Sequence, residues 1–189
     1  MTVRPTLTPA TAGFPASDAW WLAQVYNPLN YLYGQLPIEA YKANDTDRAS
    51  TTTFASDPDL QCTLAANSVY RAEFYLHYAA LDAARFKTQW LVPTGAGGNR
   101  SAVGSDQAAI LSSTSSGGQG RWGVHSFTTA CTYGTRDPSA TNLCFALEEA
   151  IVTTGASGGT LAIQWAQATS NATATRLGAG SYMRVKLLS

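Results

Sequence analysis

Residues 147–189, LEEAIVTTGASGGTLAIQWAQATSNATATRLGAGSYMRVKLLS, decide the reading of the fold. Three apolar-patterned segments, 148–154, 160–168 and 181–188, are joined by turns made almost wholly of Gly, Ala, Ser, Thr and Asn. Alternation lets a strand bury one face and wet the other, while small residues reverse the chain at little steric cost. The stretch therefore reads as the closing strands of a β-sandwich, and it carries no catalytic equipment.

The same two-residue period runs upstream. Short strands are expected at 38–42, 51–55 and 60–64, separated by turns at Asn44-Asp45-Thr46-Asp47 and Asp57-Pro58-Asp59. The longest candidate, 67–81, places Tyr70, Ala72, Phe74, Leu76 and Tyr78 on one face and Arg71, Glu73, Tyr75 and His77 on the other. Residues 85–92 alternate in turn, and the pair is expected to form a hairpin around Asp82. A Gly/Ser/Ala-rich stretch, 93–121, is interrupted by a short strand at 107–111, and further strands are expected at 121–133 and 141–154. About nine or ten strands with no long helix among them make the chain mainly β, a two-sheet sandwich of jelly-roll type.

The first 37 residues differ in kind. Pro5, Pro9 and Pro15 in residues 2–16 disfavour both helix and ladder and predict an extended arm. Ser17 or Asp18 can then cap a helix, while Asn27 followed by Pro28 suits a second start, so two short helices are expected at about 18–26 and 28–33, with Gly34 stopping the second. Residues 1–37 thus read as an arm and helical anchor, and 38–189 as the jelly roll. Two short helices cannot bury Trp20, Trp21, Tyr26, Tyr31 and Tyr33 against each other, so these rings must pack on their own sandwich, on sister subunits or on another protein. Trp20, Trp21, Tyr26, Leu29, Tyr31 and Leu32 are the candidate anchoring residues. A second apolar-leaning face, carried by Tyr75, His77 and Leu91, is the candidate interface between copies.

Composition narrows the role. The 189 residues are 45% hydrophobic, enough for a core, and only 13% charged with a formal net charge of +0. No basic stripe is available to neutralise phosphates, which argues against nucleic acid or an anionic membrane as partner. Cys62, Cys131 and Cys144 are an odd set without CxxC spacing and read as buried free thiols. No run approaches the roughly 20 apolar residues that span a bilayer, and the amino terminus lacks an apolar core, so a soluble product made in the cytoplasm is expected.

Chemistry-bearing constellations are thin. Only His77 and His125 could serve a nucleophile, each lies inside an expected strand, and no GxSxG elbow accompanies them. Glu148 and Glu149 are adjacent on a strand and point to opposite faces, so they cannot form a glycosidase pair. Gly118 to Gly123 spells GxGxxG, but a strand follows where a helix would have to open. No cofactor is implied. Asp45, Asp47, Asp57 and Asp59 offer hard oxygen ligands for calcium, though turn formation accounts for them more simply.

Several segments resemble one family. The run GTLAIQWAQATSNATAT…GSYMRVKLL is similar to the end of the jelly-roll domain of many bacteriophage minor tail, fibre and decoration proteins. Trp21 with Asn27-Pro28-Leu29-Asn30-Tyr31-Leu32 resembles the helix that opens many short virion proteins of phages with actinobacterial hosts. Arg48-Ala-Ser-Thr-Thr-Thr with Asp57-Pro-Asp-Leu60, Ala66-Asn67-Ser-Val-Tyr70, and Phe86-Lys87-Thr-Gln-Trp90-Leu-Val-Pro93-Thr-Gly95-Ala96 are similar to further segments, with Arg85 where Asp is usual. The resemblance implies a fold like the tumour necrosis factor and C1q jelly roll, usually trimeric, in a non-enzymatic protein located in the virion. Self and other virion proteins, of capsid or tail, are the implied partners. Without a collagen-like or coiled-coil shaft, the domain would sit close to the particle, as a head decoration or compact minor tail protein. A module binding host-surface glycan through loops 95–105 and 112–120 is the alternative, and a cell-wall-degrading enzyme the least supported.

Overall fold

The computed structural model describes residues 6–7, 17–111, 120–136 and 141–189. The expected arm at 2–16 and the loop at 112–119 therefore lie largely outside the described residues.

From residue 17 the chain enters one helical rod. Ser17 caps α1 (Asp18–Trp21), its Oγ accepting the Trp20 N–H at 3.2 Å. A single π turn (Leu22–Tyr26) follows, then α2 (Asn27–Gly34). The two expected helices are thus joined rather than broken at Pro28. Proline has no N–H to give to residue 24, and the helix absorbs that loss by widening: the Asn27 N–H reaches back five residues to the Leu22 carbonyl.

Among the described residues fourteen strands follow: β1 (Ile38–Tyr41), β2 (Thr46–Arg48), β3 (Ala55–Leu64), β4 (Val69–Ala79), β5 (Phe86–Leu91), β6 (Arg100–Ser105), β7 (Ile110–Leu111), β8 (Gly120–His125), β9 (Cys131–Tyr133), β10 (Thr135–Arg136), β11 (Cys144–Thr153), β12 (Gly159–Gln167), β13 (Thr175–Leu177) and β14 (Tyr182–Leu187). The large sheet has the order β1-β14-β4-β11-β6-β8, with β13 joining β4 and β2; the small sheet has the order β3-β12-β5-β9. First strand beside last, and strands that alternate between the sheets from β2 to β6 and from β11 to β13, make this a jelly roll in which the β6–β8 pair widens one sheet beyond β11, while β7 and β10 pair separately.

The sheets close on an apolar core. Phe74, Leu76 and Tyr78 of β4 meet Phe86 and Trp90 of β5, with Tyr78 stacked on Phe86 at 4.5 Å and Phe74 edge-on to Trp90 at 4.8 Å. Trp165 and Met183 complete it from β12 and β14. The expected register of Phe74 and Trp165 is therefore correct.

Several local expectations change, and the single strand expected at 121–133 divides into β8 and β9 of opposite sheets. β4 and β5 are not a hairpin: β4 pairs with β11, β13 and β14, and β5 with β12 and β9. Residues 80–85 arch between the layers instead, because Phe74 and Tyr78 find partners across the core and not beside them. Arg85 takes a positive φ of 57° in that arch and pairs with Asp82. Asp57-Pro58-Asp59 does not end a strand but lies inside β3, where Ala162 faces Gln61 and Gln164 faces Ser56. Residues 57–60 thus form a bulge opposite Ile163, a place where Pro58 forfeits no ladder bond. Residues 51–54 lie outside the ladders, and β2 and β13 form where turns are expected.

Candidate functional site

The large sheet has one face on the core and one outward, and the outward face is unusual. Cross-strand register aligns Tyr41, Tyr182, Tyr75, Leu147, Val103 and Trp122 in a single row across β1, β14, β4, β11, β6 and β8. Most of the row is exposed, Tyr41 by 65% and Trp122 by 77%. Phe145 and His77 extend it: the Tyr75 ring stacks on Phe145 at 6.3 Å and meets the His77 ring edge-on at 4.9 Å. Tyr75 OH and His77 Nε2 are 3.1 Å apart.

Two residues along each strand lies a charged row, Glu39, Arg184, Glu73 and Glu149. Arg71 bonds Glu73 at 2.8 Å and Glu149 at 3.0 Å, and Tyr182 donates its hydroxyl to Glu39 at 2.7 Å. Those contacts hold the Arg71 guanidinium pKa above its ordinary value, the Glu149 hydrogen bond foremost. Beyond them a shallow cavity of about 620 Å³ is lined by Arg71, Asn99, Ser101, Glu149 and Ile151.

The second surface is the helical rod. None of its described residues is buried, and Trp21, Leu22, Tyr26, Leu29, Leu32 and Tyr33 are all exposed. Trp20 and Tyr31 are half-buried on the other side of the rod. The anchoring candidates thus fall on two sides of one helix. The interface candidates divide as well: Tyr75 and His77 share the outward face of the large sheet, whereas Leu91 lies on the outward face of the small sheet, behind the core. Leu91 cannot belong to the same patch. The row members beyond Tyr75 were legible only as strands apolar on both faces, such as Phe145, Leu147 and Ile151 alternating with Ala146, Ala150 and Val152.

Several titratable groups elsewhere are committed to structure. Lys42 and Asp57 are both fully buried and bonded at 3.1 Å, and Lys42 also bonds Asp59 at 2.7 Å. Arg176 takes Asp45 at 2.6 Å and Asp47 at 2.8 Å. The four carboxylates considered for calcium are thus split between two cationic partners, and the described residues contain no metal-ligating cluster. Glu148 faces the core and Glu149 the solvent, on opposite faces as their adjacency requires. Cys131 and Cys144 are buried and Cys62 half-buried, none in a disulfide. Burial pushes the Cys62 thiol up to about 11 and raises the other two, which leaves all three poor nucleophiles at neutral pH. No helix among the described residues is long and apolar enough to cross a membrane.

No protein-family model and no curated protein matches the chain. Among solved structures it is similar to the tripod (BppUct-A-L) from the baseplate of bacteriophage Tuc2009, at 14% identity and a TM-score of 0.31, covering 96% of this chain and 97% of that one. It is also similar to a lipoprotein from Bacteroides thetaiotaomicron, at 10% identity and a TM-score of 0.20, covering 82% of this chain and 97% of that one. Chain paths that differ this much transfer no role.

Proposed function

We propose that the chain is a non-enzymatic structural protein of a bacteriophage particle, a homotrimer of jelly rolls attached through its N-terminal segment, as a head decoration or compact minor tail protein. The sequence resemblance supports the virion role. The observation that carries the assembly is the outward row from Tyr41 to Trp122: six strands at about 4.8 Å spacing present an apolar band nearly 30 Å wide, which a monomer would leave in water. Closed cyclic packing covers such a band without leaving a free copy of it at either end.

Light scattering of the purified chain at micromolar concentration tests this reading. The expected mass is about three times the 20.0 kDa of the protomer, and Leu147→Glu, which places a charge in the middle of the band, should reduce it to one. A wild-type mass of one protomer would remove the assembly. Copy number in purified particles then separates decoration, with hundreds of copies, from a tail protein with few.

A second reading, binding of host-surface glycan, is favoured by one feature. Arg71, Asn99, Ser101 and Glu149 supply donors and acceptors around the shallow cavity, and the exposed Trp122 stands on the neighbouring edge strand. Titration with cell-wall oligosaccharide, monitored by tryptophan fluorescence, should show saturable binding that Glu149→Ala abolishes if this reading holds.

A further inference from the structure

The helical rod carries information that the sheet does not. Large exposed apolar residues recur along it at Leu22, Tyr26, Leu29 and Tyr33, a spacing of four, three and four that Leu36 continues just past the end of α2, with the equally exposed Trp21 and Leu32 flanking them. Their exposure runs from 49% at Leu29 to 70% at Tyr33. At about 100° per residue Tyr26, Leu29 and Tyr33 fall within one stripe roughly 60° wide, and Leu22 joins its edge across the wider π turn. Of the half-buried residues of the rod, Trp20, Gln24, Pro28 and Tyr31 fall on the opposite side and Val25 at the edge of the stripe. The chain therefore partly covers one side of its own helix and leaves the apolar side bare.

We infer that this stripe packs against the same stripe of sister copies, forming a short parallel helix bundle at the N-terminal end of the assembly. The inference rests on the self-association proposed above and names a second contact within it. Three observations select another copy as the occupant. First, alternating three- and four-residue spacing is the pattern by which like helices interlock along a common seam. Second, between residues 18 and 36 the only charged residue is Asp18, so parallel copies meet without repulsion along the seam, and a strongly charged partner finds nothing to recognise. Third, the seam leads without a long linker into the outward sheet face: Leu36 and Pro37 connect the rod to β1, whose Tyr41 begins the apolar row. The exposed parts of the five side chains amount to several hundred Å² per chain. That area, added to the sheet row, brings each protomer to the roughly 800 Å² a standard interface requires.

At 1.5 Å per residue the rod from Asp18 to Gly34 is about 25 Å long, too short to associate durably by itself. The sandwich must therefore supply part of the association, and the bundle adds to it.

Cysteine cross-linking of the full chain tests the inference. Leu29→Cys places a thiol on the seam and Asn27→Cys places one well away from it, both at exposed positions. Under mild oxidation Leu29→Cys should give a disulfide-linked dimer on a non-reducing gel, while Asn27→Cys and the wild type, whose own thiols are largely covered, should not. Failure of Leu29→Cys to cross-link, or equal cross-linking at both positions, would overturn the bundle. Light scattering on the same samples separates the two readings. A trimeric mass without the Leu29 cross-link removes the bundle and keeps the assembly, and a monomeric mass without it removes both.

Discussion

Glu148 has no exposed surface, yet its carboxylate sits in the middle of the core. It is held there by donors from three other strands: the Thr88 hydroxyl at 2.5 Å, Trp90 Nε1 at 2.6 Å, the Tyr133 hydroxyl at 2.6 Å, and the equally buried Arg100. Arg100 also bonds the Thr129 carbonyl at 2.6 Å. A buried charge is tolerated only when its lone pairs are satisfied, and this one ties both sheets to a single register. Arg100→Leu, which strands the carboxylate, should cost about 3–5 kcal/mol in urea denaturation, and the double variant Arg100→Leu/Glu148→Leu should recover much of that loss. An additive double variant would show that the two do not act as a pair. Trp165 is likewise fully buried, its Nε1 donating to Asp57 at 3.2 Å and the Arg48 guanidinium 4.0 Å from its ring, and Trp165→Ala should cost about 3–5 kcal/mol. At the surface the energies are smaller and depend on pH. The Arg176 hydrogen bond holds the Asp47 carboxyl below its ordinary range. Its contribution is present above the unfolded value of about 3.9 and is lost as the pH falls through the lower folded value. Below about pH 4, Asp47→Asn should therefore lose less stability per pH unit than the wild type in a melting series.

Among the elements, the arches and bulges carry constraints that the strands do not. Gly98 has a φ of +131°, and a Cβ there would lie 2.3 Å from the Ile151 carbonyl oxygen, next to the bridge between Gly97 and Thr153. Gly98→Ala must open that bridge or push β11 outward, and it should cost about 2 kcal/mol or more. Gly34, by contrast, ends α2 with nothing within 4 Å of an added Cβ, and Gly34→Ala should be neutral or stabilising. Calorimetric melting of the two variants checks both claims. The same contrast explains how far the fold was legible. Residues 67–81 and 160–168 were readable because period-two alternation is a local property, and β4 and β12 lie there. The turn at Asp82 was visible too, but not its destination, because whether β5 pairs with β4 or crosses to the other sheet depends on Phe86 and Trp90 finding the core from the far side. Residues 57–60 illustrate the same limit. Asp-Pro-Asp signals a reversal, and the Asp57 carboxylate does accept the Asp59 and Leu60 N–H groups, but the buried Lys42 draws that reversal inward as a bulge. The outward row was the least legible part. Its members come from six strands scattered from residue 41 to residue 182, and only the register aligns them.

At the scale of the whole molecule, the division of labour between sandwich and N-terminal segment is a physical claim. Among the described residues, every buried member of the apolar core cluster lies at or beyond Leu60, and none comes from the helical rod. The strands from β1 onward hence bury their own inner faces, and removal of residues 2–33 should leave the sandwich folded, with its melting temperature changed little. Assembly should respond differently. If the outward row and the helical seam both join copies, the truncated chain keeps the first contact and loses the second, so its trimer should dissociate at higher protein concentration than that of the intact chain. Attachment should respond most. The rod exposes Trp21 and Leu32 beside the seam, and Trp20 and Tyr31 lie behind it, so a bundle of three rods still offers aromatic side chains to a further protein of the particle. Mixing truncated and intact chains separately with particles that lack this protein, sedimenting them and measuring the pelleted protein tests the last step. The intact chain should pellet with the particles and the truncated chain should remain in the supernatant while retaining its β-sheet circular dichroism. Equal recovery of both would move attachment to the jelly roll, with the apolar row from Tyr41 to Trp122 as the surface to substitute next.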